Sequence, residues 1–222
     1  MKLLALETAT EYCSAALWLD GQVIQRSELA GQRHSSMLLP QCRELLAEAG
    51  LAFSAIDAVA FGQGPGSFTG VRIACSVAQG LAFGHGLPVV AVSSLRALGQ
   101  AGERRLLTCQ DARMGEVYVA AWQQEATGWL TIVAPTVCAA AEIPLPEGDG
   151  WIACGSGFAV YGESLQARLG GKTVLVDGTR YPQAARLAEL AVEEFMAGSH
   201  IDPADAVPLY VRNRVALKIS ER

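Results

Sequence analysis

Apolar residues fall into short runs and helical stripes that alternate along the chain. An apolar run at 2–8 is followed by runs at 12–19 and 22–29, which flank Asp20-Gly21, a dipeptide suited to the positive φ angles of a tight hairpin. The pattern predicts three antiparallel strands. Over 36–49, Leu38, Leu39, Cys42, Leu45, Leu46 and Ala49 share one helical stripe, Arg43, Glu44 and Glu48 lie off it, and Gly50 closes the segment. A buried strand at 58–61, a Gly-rich loop at 62–70, a helix at 71–83 and a buried strand at 89–92 then follow in the order of a parallel crossover.

The second half repeats this order loosely. A short helix near 94–101 leads to strands at 105–110 and 117–122 around a turn at 112–115, with a third strand at 129–133. After a Pro-, Glu- and Gly-rich loop at 142–150 come a strand at 151–154, a helix at 158–169, a strand at 173–176 and an amphipathic helix at 184–196. The repetition predicts an α/β protein of two lobes, 1–103 and 104–205, each of ββαβα type with a mixed sheet, and a tail at 206–222 packing on the first lobe.

Composition narrows the function classes. Of 222 residues, 51% are hydrophobic and 18% charged, too apolar for a disordered chain. Seventeen Lys and Arg against 22 Asp and Glu leave a net charge of −5, which supplies no basic field for autonomous nucleic-acid binding. Arg104, Arg105, Arg212, Arg214 and Lys218 are the visible basic clusters. The uncharged stretch at 73–95 is broken by Gly84, Gly86 and Pro88, so it reads as helix, turn and strand rather than a membrane span. The opening MKLLALETAT lacks the apolar core of a secretory signal, and a cytoplasmic location is expected. The six cysteines contain no Cys-x-x-Cys pair and are expected to be reduced and buried.

Candidate chemistry concentrates at three turns. Glu7-Thr8-Ala9-Thr10 sits between the first two strands, where duplicated actin-like ATPases carry an acid-x-Gly-Thr phosphate loop; Ala9 holds the Gly position, and a plain turn is the alternative. Asp111-Ala112-Arg113-Met114-Gly115 is the matching turn of the second half, glycine-poor, with Arg113 suited to a surface ion pair with Asp111 or Glu116. Gly155-Ser156-Gly157, between a strand and a helix, permits close approach to an adenosine or serves as an ordinary turn. Glu7, Thr8, Thr10, Gly155, Ser156 and Gly157 are therefore the candidates for a vestigial nucleotide site. His34, His85 and His200 form no His-x-x-x-His pair, and no Gly-x-Ser-x-Gly elbow surrounds any serine.

The most specific segment is Gly64-Pro65-Gly66-Ser67-Phe68-Thr69-Gly70-Val71-Arg72, in which Ser67 or Thr69 can cap the following helix. That helix carries a large stripe, Ile73, Val77 and Leu81, and a small one, Ala74, Cys75, Ala78 and Ala82. A partner surface built on the small stripe is expected to comprise Gly66, Ser67, Phe68, Thr69, Arg72, Ala74, Cys75, Ala78, Gln79 and Ala82, with Met37 and Gln41 at its rim. The alternative places Ala78 in the monomer core.

Together Glu7 to Thr10, Arg33-His34-Ser35 with Leu38-Leu39-Pro40, Gly64 to Arg72, Val92-Ser93-Ser94-Leu95, Asp111 to Tyr118 and Pro208-Leu209-Tyr210-Val211-Arg212-Asn213 resemble the TsaB (YeaZ) family. The resemblance implies a two-lobed actin-like, Hsp70-like (ASKHA) fold and a noncatalytic dimerisation role in forming N6-threonylcarbamoyladenosine (t6A) beside the anticodon of tRNAs reading A-starting codons. It implies the catalytic subunit TsaD and the ATPase TsaE as partners, a homodimer when the chain is alone, tRNA contact only through the complex, no metal or cofactor of its own, and ATP or ADP at the junction of the complex. A glycoprotease-like metallopeptidase and an ATP-dependent phosphotransferase are the alternatives.

Overall fold

The structure, a computed structural model, describes residues 1–126 and 128–211. Arg212, Asn213, Arg214 and Lys218 lie outside the described residues. The chain opens with β1 (Lys2–Glu7), β2 (Tyr12–Leu19) and β3 (Gln22–Leu29), followed by α1 (His34–Glu48), β4 (Ala58–Gly62), α2 (Phe68–His85) and β5 (Val89–Val92). Asp20 and Gly21 have φ of 47° and 102°, hairpin geometry that Asp tolerates and that glycine, lacking a Cβ, adopts freely. The sheet order is β3-β2-β1-β4-β5, with the first three strands antiparallel and β1, β4 and β5 parallel.

The second half contains β6 (Arg105–Arg113), β7 (Glu116–Glu125), β8 (Gly128–Ala139), β9 (Trp151–Cys154), α3 (Ser156–Val160), α4 (Gly162–Leu169), β10 (Thr173–Asp177) and α5 (Ala184–Met196). Its sheet runs β10-β9-β6-β7-β8, the first order read from the other edge. This is the duplicated, two-lobed α/β architecture that the pattern and the resemblance predict. Local readings differ at several places. The helix expected near 94–101 is only a 3-10 turn (Arg96–Leu98), because Gly99 is extended. The helix expected at 158–169 is interrupted at Tyr161, whose backbone leaves the helical region and whose hydroxyl donates to Asp111 across 3.2 Å. The third strand continues to Ala139.

Alternation along β1 explains how both sheet faces are used. Leu4 and Leu6 point to the side carrying α1 and α2, whereas Leu3 and Ala5 point to the side covered by α5. The latter helix, grouped by sequence with 104–205, therefore lies across the first sheet, seating Ala184, Leu187, Ala188, Leu190 and Ala191 on Leu3, Ala5, Ala58 and Ala60. Without it a fully apolar sheet face would meet water. The chain passes between lobes twice, and a nearly buried ion-pair group ties the crossings: Arg180 contacts Glu103 at 2.8 Å and Asp177 at 2.9 Å.

On α2 the small stripe faces inward. Ala74, Cys75, Ala78 and Ala82 are buried at 0–3% exposure in the core shared with Phe61 and Leu6, because small side chains let the helix lie close to the sheet. Their expected place on a partner surface is thus corrected, and the larger Ile73, Val77 and Leu81 lie at the half-buried flank. Ala78→Arg should force an unpaired charge into this core, at a cost of several kcal/mol. Loss of the cooperative melting transition is the expected result; a folded variant with wild-type melting would contradict this packing.

Candidate functional site

At the end of β1 the Glu7 carboxylate is 1% exposed and fully engaged. It accepts from the Ala9 N–H at 2.6 Å and from the Ser94 hydroxyl at 2.7 Å, and a Cβ on Gly62 would lie 2.0 Å from its Oε2. Burial pushes its pKa up, partly offset by hydrogen bonds from Ala9, Ser94 and Thr8. The Gly-rich loop closes over the same turn. Ser67 N–H donates to the Ala9 carbonyl at 2.7 Å, and the Thr8 hydroxyl donates to the Gly70 carbonyl at 2.7 Å. A Cβ on Gly66 would stand 2.5 Å from Ala9 O, and one on Gly70 1.9 Å from Thr8 O. These glycines are required by backbone-on-backbone contact within the chain. Ser67 also caps α2, accepting from Gly70 N–H at 3.3 Å, so the helix starts three residues earlier than its apolar stripe suggests.

Between the lobes lies a cleft of about 840 Å³. Thr10, Glu11, Arg72 and Tyr181 face Gln110, Asp111 and Ser156 across it. Of the expected nucleotide residues, Thr10 and Ser156 line the cleft, whereas Glu7, Thr8, Gly155 and Gly157 do not. The second lobe repeats the closure of the first: Cβ atoms on Gly155 and Gly157 would approach Cys109 O at 2.5 and 2.8 Å. Ser156 Oγ accepts from Asp111 N–H at 3.1 Å, and the Asp111 carboxylate pairs with Arg113 at 3.1 Å. The Arg113–Asp111 surface ion pair that the sequence suggests is thus present, and protein donors satisfy the Glu7 turn. Among the described residues no group of three or more His, Cys, Asp or Glu is placed to hold a metal ion.

The second surface runs along α1 and α2. Ser35, Phe68, Thr69, Arg72, Ile73, Ser76 and Val77 line an open groove of about 330 Å³. Of the expected partner residues, Ser67, Phe68 and Thr69 are exposed, and Gly66, Arg72 and Met37 are half-buried. Gln41 is buried against Cys13, and its amide donates to the Cys13 carbonyl at 3.4 Å, which removes it from the rim. Gln79 faces the chain's own C-terminal segment, donating to Pro203 O and Ala206 O, each at 3.0 Å. Sequence reasoning assigned no role to Ser94, Gly62 or Tyr210. All three lie within segments that the sequence singles out, 62–70, 92–95 and 208–213, but nothing local announced their contacts.

The chain resembles TsaB of Escherichia coli, with 38% identity over 98% of this chain and 97% of that protein. It belongs to the TsaB (YeaZ) family. TsaB of Haemophilus influenzae is 37% identical over 98% of this chain and 96% of its own length. The family model described as TsaD, tRNA N6-adenosine threonylcarbamoyltransferase, matches residues 24–216. Among solved structures, YeaZ from Pseudomonas aeruginosa superimposes with a TM-score of 0.86 at 38% identity, covering 94% of this chain and 99% of that one. The TsaB members are named for tRNA threonylcarbamoyladenosine biosynthesis. No helix among the described residues is long and apolar enough to cross a membrane.

Because the folded chain holds Glu7 with a raised pKa, its protonated form stabilises the fold at low pH. That contribution is complete below the unfolded value of 4.5 and is lost as pH rises through the higher folded value. The unfolding free energy of Glu7→Gln relative to wild type should accordingly increase as pH climbs above 4.5 and then level off. Denaturant titrations across the acid range measure it; a difference independent of pH would mean that Glu7 is not held as described.

Proposed function

We propose that this chain is the noncatalytic docking subunit of the assembly that forms t6A on tRNA in the cytoplasm. It binds and supports the TsaD-type catalytic subunit, helps recruit the TsaE ATPase, and self-associates through the same face when alone. The observation that carries this reading is the sealed turn at Glu7: its acid is satisfied by Ser94 and Ala9 beneath the loop at 64–70, out of reach of a cleft ligand. A phosphotransferase needs that acid free to position a metal-bound phosphate, and a metallopeptidase needs a convergent ligand set. The chain carries no cofactor of its own, and ATP or ADP lies at the junction with the catalytic subunit. With a net charge of −5, it meets tRNA only through the complex.

Docking is placed on the outer face of α1 and α2, where Phe68, Thr69 and Ser76 are exposed. The groove beside them is apolar and open, suited to a partner helix. Purified TsaD-type subunit and this chain, with the remaining components, should form t6A, and Glu7→Gln should support the same rate within about twofold, since a satisfied buried carboxyl contributes no catalytic group. Ser76→Arg should keep wild-type melting and weaken association on the order of a hundredfold, by burying an unpaired charge at the interface centre. Reconstituted t6A formation and calorimetry check both. A large loss of rate in Glu7→Gln with association intact would return the chain to the enzymes.

A further inference from the structure

Arg72 stands at the boundary between the inter-lobe cleft and the α1–α2 groove and lines both. Its guanidinium lies 3.2 Å from the centre of the Phe68 ring and 4.8 Å from that of Tyr210. The two rings are 6.3 Å apart, and they are 54% and 50% exposed. One guanidinium nitrogen donates to Phe68 O at 2.9 Å. No carboxylate among the described residues lies within ion-pair distance of Arg72, whereas the half-buried Arg26, Arg96, Arg180 and Arg186 each have one and Arg105 donates to the Asp149 carbonyl instead.

Tyr210 reaches this position because the segment after α5 is strapped to the first lobe. Ile201 bridges Val89, Gln79 holds the Pro203 and Ala206 carbonyls, Cys75 Sγ donates to Ala206 O at 3.4 Å, and Leu209 N–H donates to Gln63 O at 2.7 Å. The strap thus delivers a second aromatic ring beside a cation that α2 itself presents.

Stacking holds a guanidinium in place without cancelling its charge, and it leaves the planar edge able to form a paired hydrogen bond to a carboxylate. A partner that covers the apolar groove must also cover Arg72. Doing so without an opposite charge would leave a desolvated cation unpaired. We infer that Arg72, held against Phe68 and beside Tyr210, is the specificity element of the docking face and takes a carboxylate from a partner helix whose flanking side chains are apolar. The strap sets the position of Arg72 through Tyr210. This rests on the docking reading above. An exposed aromatic and arginine stack also suits a nucleic-acid base, but the apolar groove and the acidic chain favour a protein helix.

Calorimetry between the full-length chain and purified TsaD-type subunit, at low and high salt, tests it. Wild-type affinity should fall with salt. Arg72→Gln should bind about thirtyfold more weakly at low salt and lose most of the salt dependence, with melting unchanged. Tyr210→Ala should bind about fivefold more weakly and keep the salt dependence, since the cation remains but is less constrained. If Arg72→Gln and Tyr210→Ala bind as wild type while Ser76→Arg does not, the docking face stands and the carboxylate pairing falls. If Ser76→Arg also binds as wild type, both fall. A loss in Arg72→Gln that is equal at both salt concentrations overturns the pairing, as does a loss confined to tRNA affinity of the assembled complex.

Discussion

The contact on which the structure depends is the seating of residues 64–70 directly on the turn at 8–10. Gly66 and Gly70 bring two backbones closer than any side chain would allow, with Ser67 N–H on Ala9 O and the Thr8 hydroxyl on Gly70 O. That one contact closes the end of β1 over Glu7, starts α2 at Phe68, and aims the helix so that its small stripe lies on the sheet. The second lobe does the same with Gly155 and Gly157 against Cys109. In each lobe, the glycines in this place serve the chain's own backbone. The close approach that these glycines permit is therefore used by neighbouring backbone, while Thr10, Asp111 and Ser156 still border the open inter-lobe cleft.

The lobes differ in how much each face is covered. Helix α5 and the strap after it complete the first lobe, which has a helical layer on both sides of its sheet and a bridge from Ile201 to the edge strand β5. Among the described residues the second lobe has α3 and α4 on one side and the turn around Leu95 and Leu98 on the other, and its edge strand β10 leaves Val174 and Leu175 exposed. The first lobe is thus a stiff platform on which an exposed α1–α2 face can be presented with little ordering cost on binding.

Local chemistry made much of this fold legible. Asp20-Gly21 specified the opening hairpin, the apolar runs at 58–61 and 89–92 the parallel strands, and the repeated order the second sheet. The destination of α5 was not legible, because an amphipathic stripe says that a helix has a buried side and not which sheet receives it. The same ambiguity reversed α2: two apolar stripes a quarter turn apart are equivalent in sequence, and the close fit of Ala74, Ala78 and Ala82 to the sheet is a tertiary fact. At the site, the importance of residues 64–72 was legible, while the reason was not, since a glycine that serves a ligand and one that serves a neighbouring turn have the same letter. Ser94 and Tyr210 act across 87 and 138 residues of chain, on Glu7 and Arg72 respectively, beyond the reach of local pattern.

The central claim is that the outer face of α1 and α2, with the strap at Tyr210, is where this chain meets its catalytic partner, and that the sealed turn at Glu7 takes no part. Backbone hydrogen exchange of the full chain, alone and saturated with TsaD-type subunit, addresses it most directly. The account predicts new protection in residues 34–41, 68–80 and 206–211, with the exchange of the buried strands β1 and β4 unchanged. Protection confined to β8, β10 and the second lobe, with α1 and α2 exchanging as in the free chain, would contradict it.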